Sequence, residues 1–195
     1  MQAKGLHFSC FLRRFPGPRR KCYNAGMSRI YLFFEETAKP GMPEIPARRA
    51  RLAEIAHPEE RARYCASSRA LSRAAAFLGL DSAAFFYEAG GRPVLPGAWV
   101  SLSHGKNLAV CAISRRRVGV DLERSERQIP LQLLCRVGAQ EGPGETNLEK
   151  WLAYEARLKA AGPERVGFLT RGAYRVAVCA EETDAIYDGD TGEKL

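Results

Sequence analysis

Two acidic side chains lie two positions apart in the apolar segment Val118–Glu123, whose sequence is Val-Gly-Val-Asp-Leu-Glu. In an extended strand alternate side chains point to opposite faces, so Gly119, Asp121 and Glu123 share one face. Two carboxylates on one strand face can bind a hard cation such as Mg²⁺, or alternatively Mn²⁺. Gly119 would leave that face open to a bulky ligand. The alternative interpretation is a solvated edge strand with its polar side chains outward.

A third carboxylate lies on a predicted helix that Asn147 can cap and that runs to about Ala161. Trp151, Glu155 and Lys159 recur at every fourth position and therefore share one stripe of this helix. Glu155 could add a metal ligand, and Lys159, one turn later, could bind phosphate. The alternative is a surface ion pair worth roughly 0.3–0.5 kcal/mol.

A hydroxyl and an imidazole come together at the end of another predicted strand, where Ser103 and His104 precede Gly105. An ordinary histidine in a turn explains the same residues without a ligand.

The elements that must position these residues follow from periodicity and from helix start and stop signals. A proline at position 58 and a glycine at position 79 bound one long helix. The tetrapeptide Ala-Val-Cys-Ala occurs at 109–112 and again at 177–180, which is what two similar halves would leave behind. The predicted helices are 58–78, 128–137 and 147–161, the predicted loops are 37–46 and 140–146, and the predicted strands are 29–34, 85–87, 99–103, 107–114, 118–123, 168–169, 174–180 and 185–187.

The composition indicates a cytoplasmic protein of one domain or two small halves. The chain has 195 residues, of which 46% are hydrophobic and 27% charged, and no apolar run approaches the ~20 residues that span a membrane. The N-terminal segment is a poor signal peptide because polar residues interrupt its apolar part. The six cysteines lack metal-binding spacing, so buried reduced thiols are expected.

The net charge of +8 is concentrated near the N-terminus. Residues 1–51 hold 11 Lys and Arg against 3 Asp and Glu, whereas residues 52–195 hold 19 of each. Such a segment can bind nucleic acid, an acidic protein or a phosphate-rich ligand. Residues 1–26 are interpreted as a disordered or non-native extension, because a cleaner strand sequence follows Met27.

Four short motifs follow one another along the chain: Gly91-Arg92-Pro93, Val100-Ser101-Leu102-Ser103-His104, Gly119-Val120-Asp121-Leu122-Glu123 and the helix Trp151-Leu152-Ala153-Tyr154-Glu155-Ala156-Arg157-Leu158-Lys159. Taken together and in this order, they resemble the motifs of the 4′-phosphopantetheinyl transferase superfamily, in its two-halved, surfactin-synthetase-activating branch. The chain departs from the usual motifs at Ser101, where the family usually has asparagine, and at Tyr154, where it usually has lysine.

The resemblance implies an enzyme, a holo-[acyl-carrier-protein] synthase. It would move phosphopantetheine from coenzyme A to a serine of an acidic acyl or peptidyl carrier protein and release adenosine 3′,5′-bisphosphate. It implies a monomer without membrane attachment, and an α+β fold of two similar halves, 27–100 and 101–195, each a small antiparallel sheet packed with a long helix. The implied metal ligands are Asp121, Glu123 and Glu155; the implied catalytic residues are Glu155 and Lys159; the implied coenzyme A ligands are Arg69, Arg92, Ser103, His104 and Lys159.

Two alternatives remain open at the level of sequence. A degenerate relative would bind coenzyme A or a carrier protein without transferring anything, and Ser101 and Tyr154 motivate that hypothesis. A nucleic-acid-binding module would explain the basic residues 1–51. The chain lacks a helix-turn-helix pattern, zinc ligands or an aromatic-plus-basic RNA motif, which disfavours this second alternative.

Overall fold

The computed structural model describes residues 29–39, 41–162, 165–180 and 185–195. These residues form a mixed α and β structure, as predicted. The expected extension at 1–26 lies outside the described residues. The elements are β1 (Arg29–Glu36), α1 (Pro46–Leu52), α2 (Pro58–Leu78), a 3₁₀-helix (Ser82–Ala84), β2 (Phe86–Tyr87), β3 (Pro93–Val94), β4 (Trp99–His104), β5 (Leu108–Ser114), β6 (Val118–Arg124), α3 (Leu131–Val137), α4 (Asn147–Ala160), β7 (Arg165–Arg171), β8 (Tyr174–Ala180) and β9 (Ala185–Asp188).

The first sheet has the strand order β4-β5-β1-β9. β5 pairs antiparallel with both β1 and β4, and β9 pairs parallel with β1. Tyr31 and Phe33 of β1 pack toward α2, whereas Ile30, Leu32 and Phe34 pack on the opposite face. Because both faces of β1 are buried, its sequence is a continuous apolar run.

The second sheet has the order β6-β8-β7, and all its pairs are antiparallel. Val120 and Leu122 of β6 pack in the same core as Leu32, so the two sheets face each other. Ala177 and Cys179 of β8 pack on the other face, in the core that α4 covers. The layers are therefore α2, first sheet, second sheet and α4. A separate hairpin joins β2 to β3.

The two long helices begin with different signals. α2 has Pro58 in its first turn and ends at Gly79, whose φ of 68° is left-handed, as the sequence predicts. α4 is capped by Thr146, so the prediction that Asn147 caps it is wrong. The Thr146 hydroxyl accepts from the Glu149 N–H and the Glu149 carboxylate accepts from the Thr146 N–H, which is a capping box. The Asn147 amide instead donates to Ile129 O at 3.0 Å.

The expected division into halves near residue 100 stays a prediction. The first sheet takes strands from both sides of that position, since β1 precedes it and most of β4 and β5 follow it.

Three described cysteines, Cys65, Cys111 and Cys179, are buried, as expected. Cys135 differs, because α3 leaves its thiol exposed. Within the described ranges, no helix is long and apolar enough to cross a membrane.

Candidate functional site

Asp121 lies at the junction of β4, β6 and α4, where it is only 6% exposed. The Ser103 hydroxyl donates to Asp121 Oδ1 at 2.7 Å, and Lys159 Nζ donates to the same oxygen at 2.6 Å. Lys159 Nζ also reaches the Val120 carbonyl at 3.2 Å. The buried carboxylate is thus paired with a cation and held by a hydroxyl, as a buried charge requires.

Two serines of β4 accept hydrogen bonds from backbone N–H groups on the outer edge of β6. The Ser101 hydroxyl accepts from Val120 N at 2.9 Å, and the Ser103 hydroxyl accepts from Leu122 N at 3.3 Å. β4 and β6 are edge strands of different sheets, so these bonds join the two sheets through side chains. Ser101 therefore supplies an acceptor for a buried backbone N–H. A buried N–H without an acceptor would destabilise the fold by ~1–3 kcal/mol.

Gly119 does not hold the strand face open for a ligand, so that prediction is wrong. A Cβ built on Gly119 would lie 1.9 Å from Ala156 O and 2.7 Å from Ala160 N. The backbones of β6 and α4 touch at this point, and only glycine permits such an approach. The close contact brings the β6 carboxylates next to the polar stripe of α4.

Glu155 is the carboxylate of α4 that lies near Asp121. Burial raises the pKa of Glu155, and the charge of Asp121 raises that pKa further, whereas Lys159 and Arg127 lower it. The two carboxylates therefore repel each other across the junction. Glu123 lies two residues along β6 and is ion-paired with Arg127.

The carboxylates of the junction are the candidate donors for Mg²⁺. Among residues 29–39, 41–162, 165–180 and 185–195, no three His, Cys, Asp or Glu side chains are close enough to hold one metal ion. Mg²⁺ typically takes one or two carboxylates and completes its shell with water and substrate phosphate. Asp121 and Glu155 fit that pattern, because a cation between them would relieve their repulsion. The part of Glu123 as a third ligand stays a prediction, since Arg127 holds its side chain.

A cleft of about 660 Å³ opens beside this junction. Its walls come from α1, α2, the β2–β3 turn, β4 and the end of α4. Three sequence-predicted residues, Arg92, His104 and Lys159, line it. The apolar residue Leu158, which is exposed, lies at its α4 side. The arrangement places a cationic wall next to the carboxylates of the junction.

Arg48, which the sequence analysis did not identify, lies at the inner wall of this cleft and is 2% exposed. Its guanidinium donates to the hydroxyls of Ser67, Ser68 and Tyr87 at 2.6, 2.6 and 2.8 Å, and to the Tyr64 carbonyl at 3.2 Å. In the described part of the chain, none of its partners is a carboxylate. Burial lowers the pKa of Arg48, although guanidinium stays charged in proteins. A buried cation with only neutral partners is suited to an anionic ligand.

His104 ends β4 at the mouth of the cleft. Desolvation of the imidazole lowers the pKa of His104, and the nearby charges of Arg63, Lys159 and Arg48 lower it further, against a backbone hydrogen bond that raises it. The residue is nonetheless solvent-exposed at the end of its strand. Lys159 and Arg48, two of these nearby cations, line the cleft together with His104.

The other expected ligands lie in different settings. Arg92 forms two hydrogen bonds with Glu88, at 3.0 and 3.1 Å, and stacks over the Trp99 ring at 4.7 Å. Arg69 packs α2 against β1, where it donates to Glu36 O at 2.8 Å. It is not among the residues that line the cleft, and its part in ligand binding stays a prediction.

Arg48 left a weak signal in the sequence. Three arginines follow Pro46 within one turn and a half, which suits a short basic helix. Nothing in that pattern shows which arginine is buried, because burial depends on the serines of α2 and the tyrosine of β2 that surround Arg48.

A known protein is similar to part of the chain. No family model matches it. The chain is similar to the 4′-phosphopantetheinyl transferase HetI of Nostoc sp. (strain PCC 7120), with 32% identity over 127 aligned positions, and the match covers 54% of this chain and 54% of that protein. The match thus spans about half the length of this curated relative. The similarity supports a relation to the phosphopantetheinyl transferases and leaves the branch a prediction.

Proposed function

We propose that the protein transfers the 4′-phosphopantetheine group of coenzyme A to a serine of an acyl or peptidyl carrier protein, in a Mg²⁺-dependent reaction. The observation that carries the proposal is the cleft beside the carboxylates of the junction, where Arg48, which has no carboxylate partner among the described residues, lies with His104 and Lys159. Coenzyme A carries a pyrophosphate and a phosphate monoester, so it needs several cationic contacts. The similarity to a named transferase supports the same reaction class.

Arg48 would anchor one phosphate of coenzyme A at the inner wall, because a guanidinium fork suits phosphate oxygens. His104 and Arg92 would contact the ligand nearer the mouth. Arg92 would have to share its guanidinium with Glu88, which holds it at present. Lys159, held by Asp121, would place a positive charge beside the transferring phosphate.

Asp121 and Glu155 would hold Mg²⁺, which when bound would neutralise charge on the pyrophosphate. The carrier serine oxygen forms a bond to the phosphorus that bears phosphopantetheine, and the bond from that phosphorus to the bridging oxygen breaks. The leaving group is adenosine 3′,5′-bisphosphate. Glu155 takes the serine proton, directly or through a water, as a general base.

The partner would be an acidic carrier protein, and the basic residues of the N-terminal quarter would speed their encounter. We also propose that the two sheet-and-helix units are related halves of a monomer. The repeated Ala-Val-Cys-Ala supports this, because Val110 and Val178 lie in the shared core, whereas Cys111 and Cys179 face the core under α2 and α4, respectively.

The experiment is intact-mass spectrometry of acidic apo-carrier proteins after incubation with this protein, coenzyme A and MgCl₂. The proposal expects a gain of one phosphopantetheine that EDTA prevents. No gain on any carrier, together with tight coenzyme A binding measured by calorimetry, would contradict it.

That second outcome would favour a non-catalytic binder. Tyr154 is the observation behind this alternative, because its ring packs against Trp151, with centroids 5.9 Å apart, where the family usually supplies a charge. Reversion by Tyr154→Lys would then be expected to produce transfer. A variant that binds coenzyme A but still does not transfer would count against this explanation.

A further inference from the structure

The Ser103 hydroxyl uses its hydrogen-bonding capacity within the protein. It donates its single proton to Asp121 Oδ1 at 2.7 Å and accepts from Leu122 N at 3.3 Å. The residue is 8% exposed and does not line the cleft, whereas its neighbour His104 does. A phosphate oxygen only accepts hydrogen bonds, so Ser103 could bind it only by releasing Asp121.

We propose that Ser103 is a positioning residue that fixes the Asp121 carboxylate, rather than a direct ligand of the coenzyme A phosphate. This inference rests on the proposed function and refines one of its residues. Both donors to Asp121, Ser103 and Lys159, reach Oδ1. In the described structure Oδ2 receives no hydrogen bond, and this orientation leaves that oxygen for a cation.

The β4–β6 contact makes the orientation rigid. The Ser103 hydroxyl that donates to Asp121 also accepts from the N–H of Leu122, the next residue of β6. One oxygen therefore holds both the backbone of β6 and the side chain of Asp121. A carboxylate whose first torsion is fixed by packing and hydrogen bonds needs no reordering when a ligand arrives. Loss of the hydroxyl therefore should reduce turnover more than it reduces affinity for coenzyme A.

Ser101 provides a matched control. It lies on the same face of β4 and accepts from Val120 N at 2.9 Å, but it makes no bond to Asp121. Ser103→Ala and Ser101→Ala therefore remove the same kind of backbone contact, and only the first also removes the bond to Asp121. Ser103→Cys preserves the side-chain volume without a strong donor, in case the alanine variant folds poorly.

The experiment measures kcat and KM for transfer to a carrier, the Kd of coenzyme A by calorimetry in EDTA, and urea unfolding. We expect Ser103→Ala to lower kcat about tenfold or more and to change the coenzyme A Kd less than about twofold. The loss in kcat should be at least about fivefold larger than the loss caused by Ser101→Ala. Ser103→Thr should recover most of the turnover. A Kd that rises about tenfold with kcat preserved would overturn the proposal and identify a phosphate ligand. Unchanged kcat and Kd, or an equal loss in both, would also overturn it.

A readout without turnover separates this inference from the proposed function. In a double-mutant cycle of unfolding free energies, Ser103→Ala and Asp121→Ala should be non-additive, because they share one bond. If the wild-type protein transfers nothing, the proposed function fails, and this cycle still decides the role of Ser103. Additive effects would show that Ser103 does not act through Asp121.

Discussion

Asp121 and Arg48 are both buried charges, but among the described residues only Asp121 has an oppositely charged partner. Asp121 is paired with Lys159 and held by Ser103. Arg48 is surrounded by hydroxyls and a carbonyl, and in the described residues no carboxylate neutralises it. A desolvated charge is costly unless it is compensated. Asp121 is therefore compensated by its ion pair, whereas Arg48 has only neutral hydrogen-bond partners and the face of the Tyr64 ring within the described residues, and we propose that a bound anion completes its compensation.

The contrast separates an ion pair that holds β6 against α4 from a cation that we propose binds an anionic substrate. The tyrosines and serines around Arg48 orient the guanidinium without cancelling its charge, so the charge remains available to phosphate. At the junction the ion pair fixes where β6 meets α4. Four substitutions break or sharpen this contrast, and they follow in order of decreasing effect.

Gly119→Ala should prevent stable folding, because its Cβ would overlap the backbone of α4 at Ala156. We expect a loss of about 3 kcal/mol or more in unfolding free energy, measured by urea denaturation or seen as insoluble protein. Gly167→Ala is the control, since the nearest atom to its Cβ is Ile186 Cδ1 at 3.7 Å. Equal stability of the two variants would show that the junction tolerates separation of β6 from α4.

Glu155→Gln should lower kcat by about 10²–10⁴-fold, because the amide can neither take a proton nor hold a cation well. The fold should remain intact, since the substitution removes repulsion from Asp121. Steady-state transfer kinetics and a thermal unfolding curve give both results. Glu149→Gln should instead lower stability, because Glu149 closes the α4 capping box and pairs with Arg175. Wild-type turnover in Glu155→Gln would remove the general base from the mechanism.

Arg48→Met should weaken coenzyme A binding about 100-fold, or about 2.7 kcal/mol. The ligand-free protein should stay close to the wild type in stability, since the cost of burying a cation is removed together with its neutral hydrogen bonds. Calorimetry and thermal unfolding measure the two effects. Arg49→Met, on the exposed side of α1, should change neither appreciably. Undiminished binding in Arg48→Met would show that the inner wall does not receive an anion.

His104 should give the smallest effect, a dependence of stability on pH. The folded pKa lies below the unfolded value of about 6.5, so the unfolded chain binds more protons between the two. The stabilisation is present above pH 6.5 and is lost as the pH falls through the folded pKa. Urea unfolding at pH 7.5 and pH 5 should show this loss in the wild type and a smaller one in His104→Gln. If the cleft binds anions, inorganic phosphate should reduce the difference in unfolding free energy between pH 7.5 and pH 5. A difference that does not change with phosphate would count against anion binding.

Part of the fold and part of the candidate site could be predicted from the sequence. Strict alternation predicted β6 and the side on which Asp121 lies, and the Pro58 and Gly79 signals predicted both ends of α2. These features are local, since they depend on torsion preferences and on neighbours a few residues away. The resemblance led to His104 and Lys159, which the structure places in one cleft with Arg92.

The rest depends on pairs of residues that lie far apart in the sequence. The bond from Ser103 to Asp121 spans 18 residues, and that from Arg48 to Tyr87 spans 39. Gly119 was misinterpreted for the same reason, because its one distinctive contact is with a helix about forty positions later. The cap of α4 was missed by one residue, because Thr146 and Asn147 are both good caps and only the Glu149 partner selects between them.

The parallel pairing of β9 with β1 has a consequence for synthesis of the protein. β1 emerges from the ribosome before β5, which can pair with it as soon as it follows. The other edge of β1 must wait until β6, β7 and β8 have also been synthesised before β9 covers it. During that interval a long apolar strand presents unpaired backbone groups, which makes the nascent chain a substrate for chaperones and for edge-to-edge aggregation. Ribosome-associated chains stalled before β9 should therefore remain more susceptible to proteolysis in β1 than released protein.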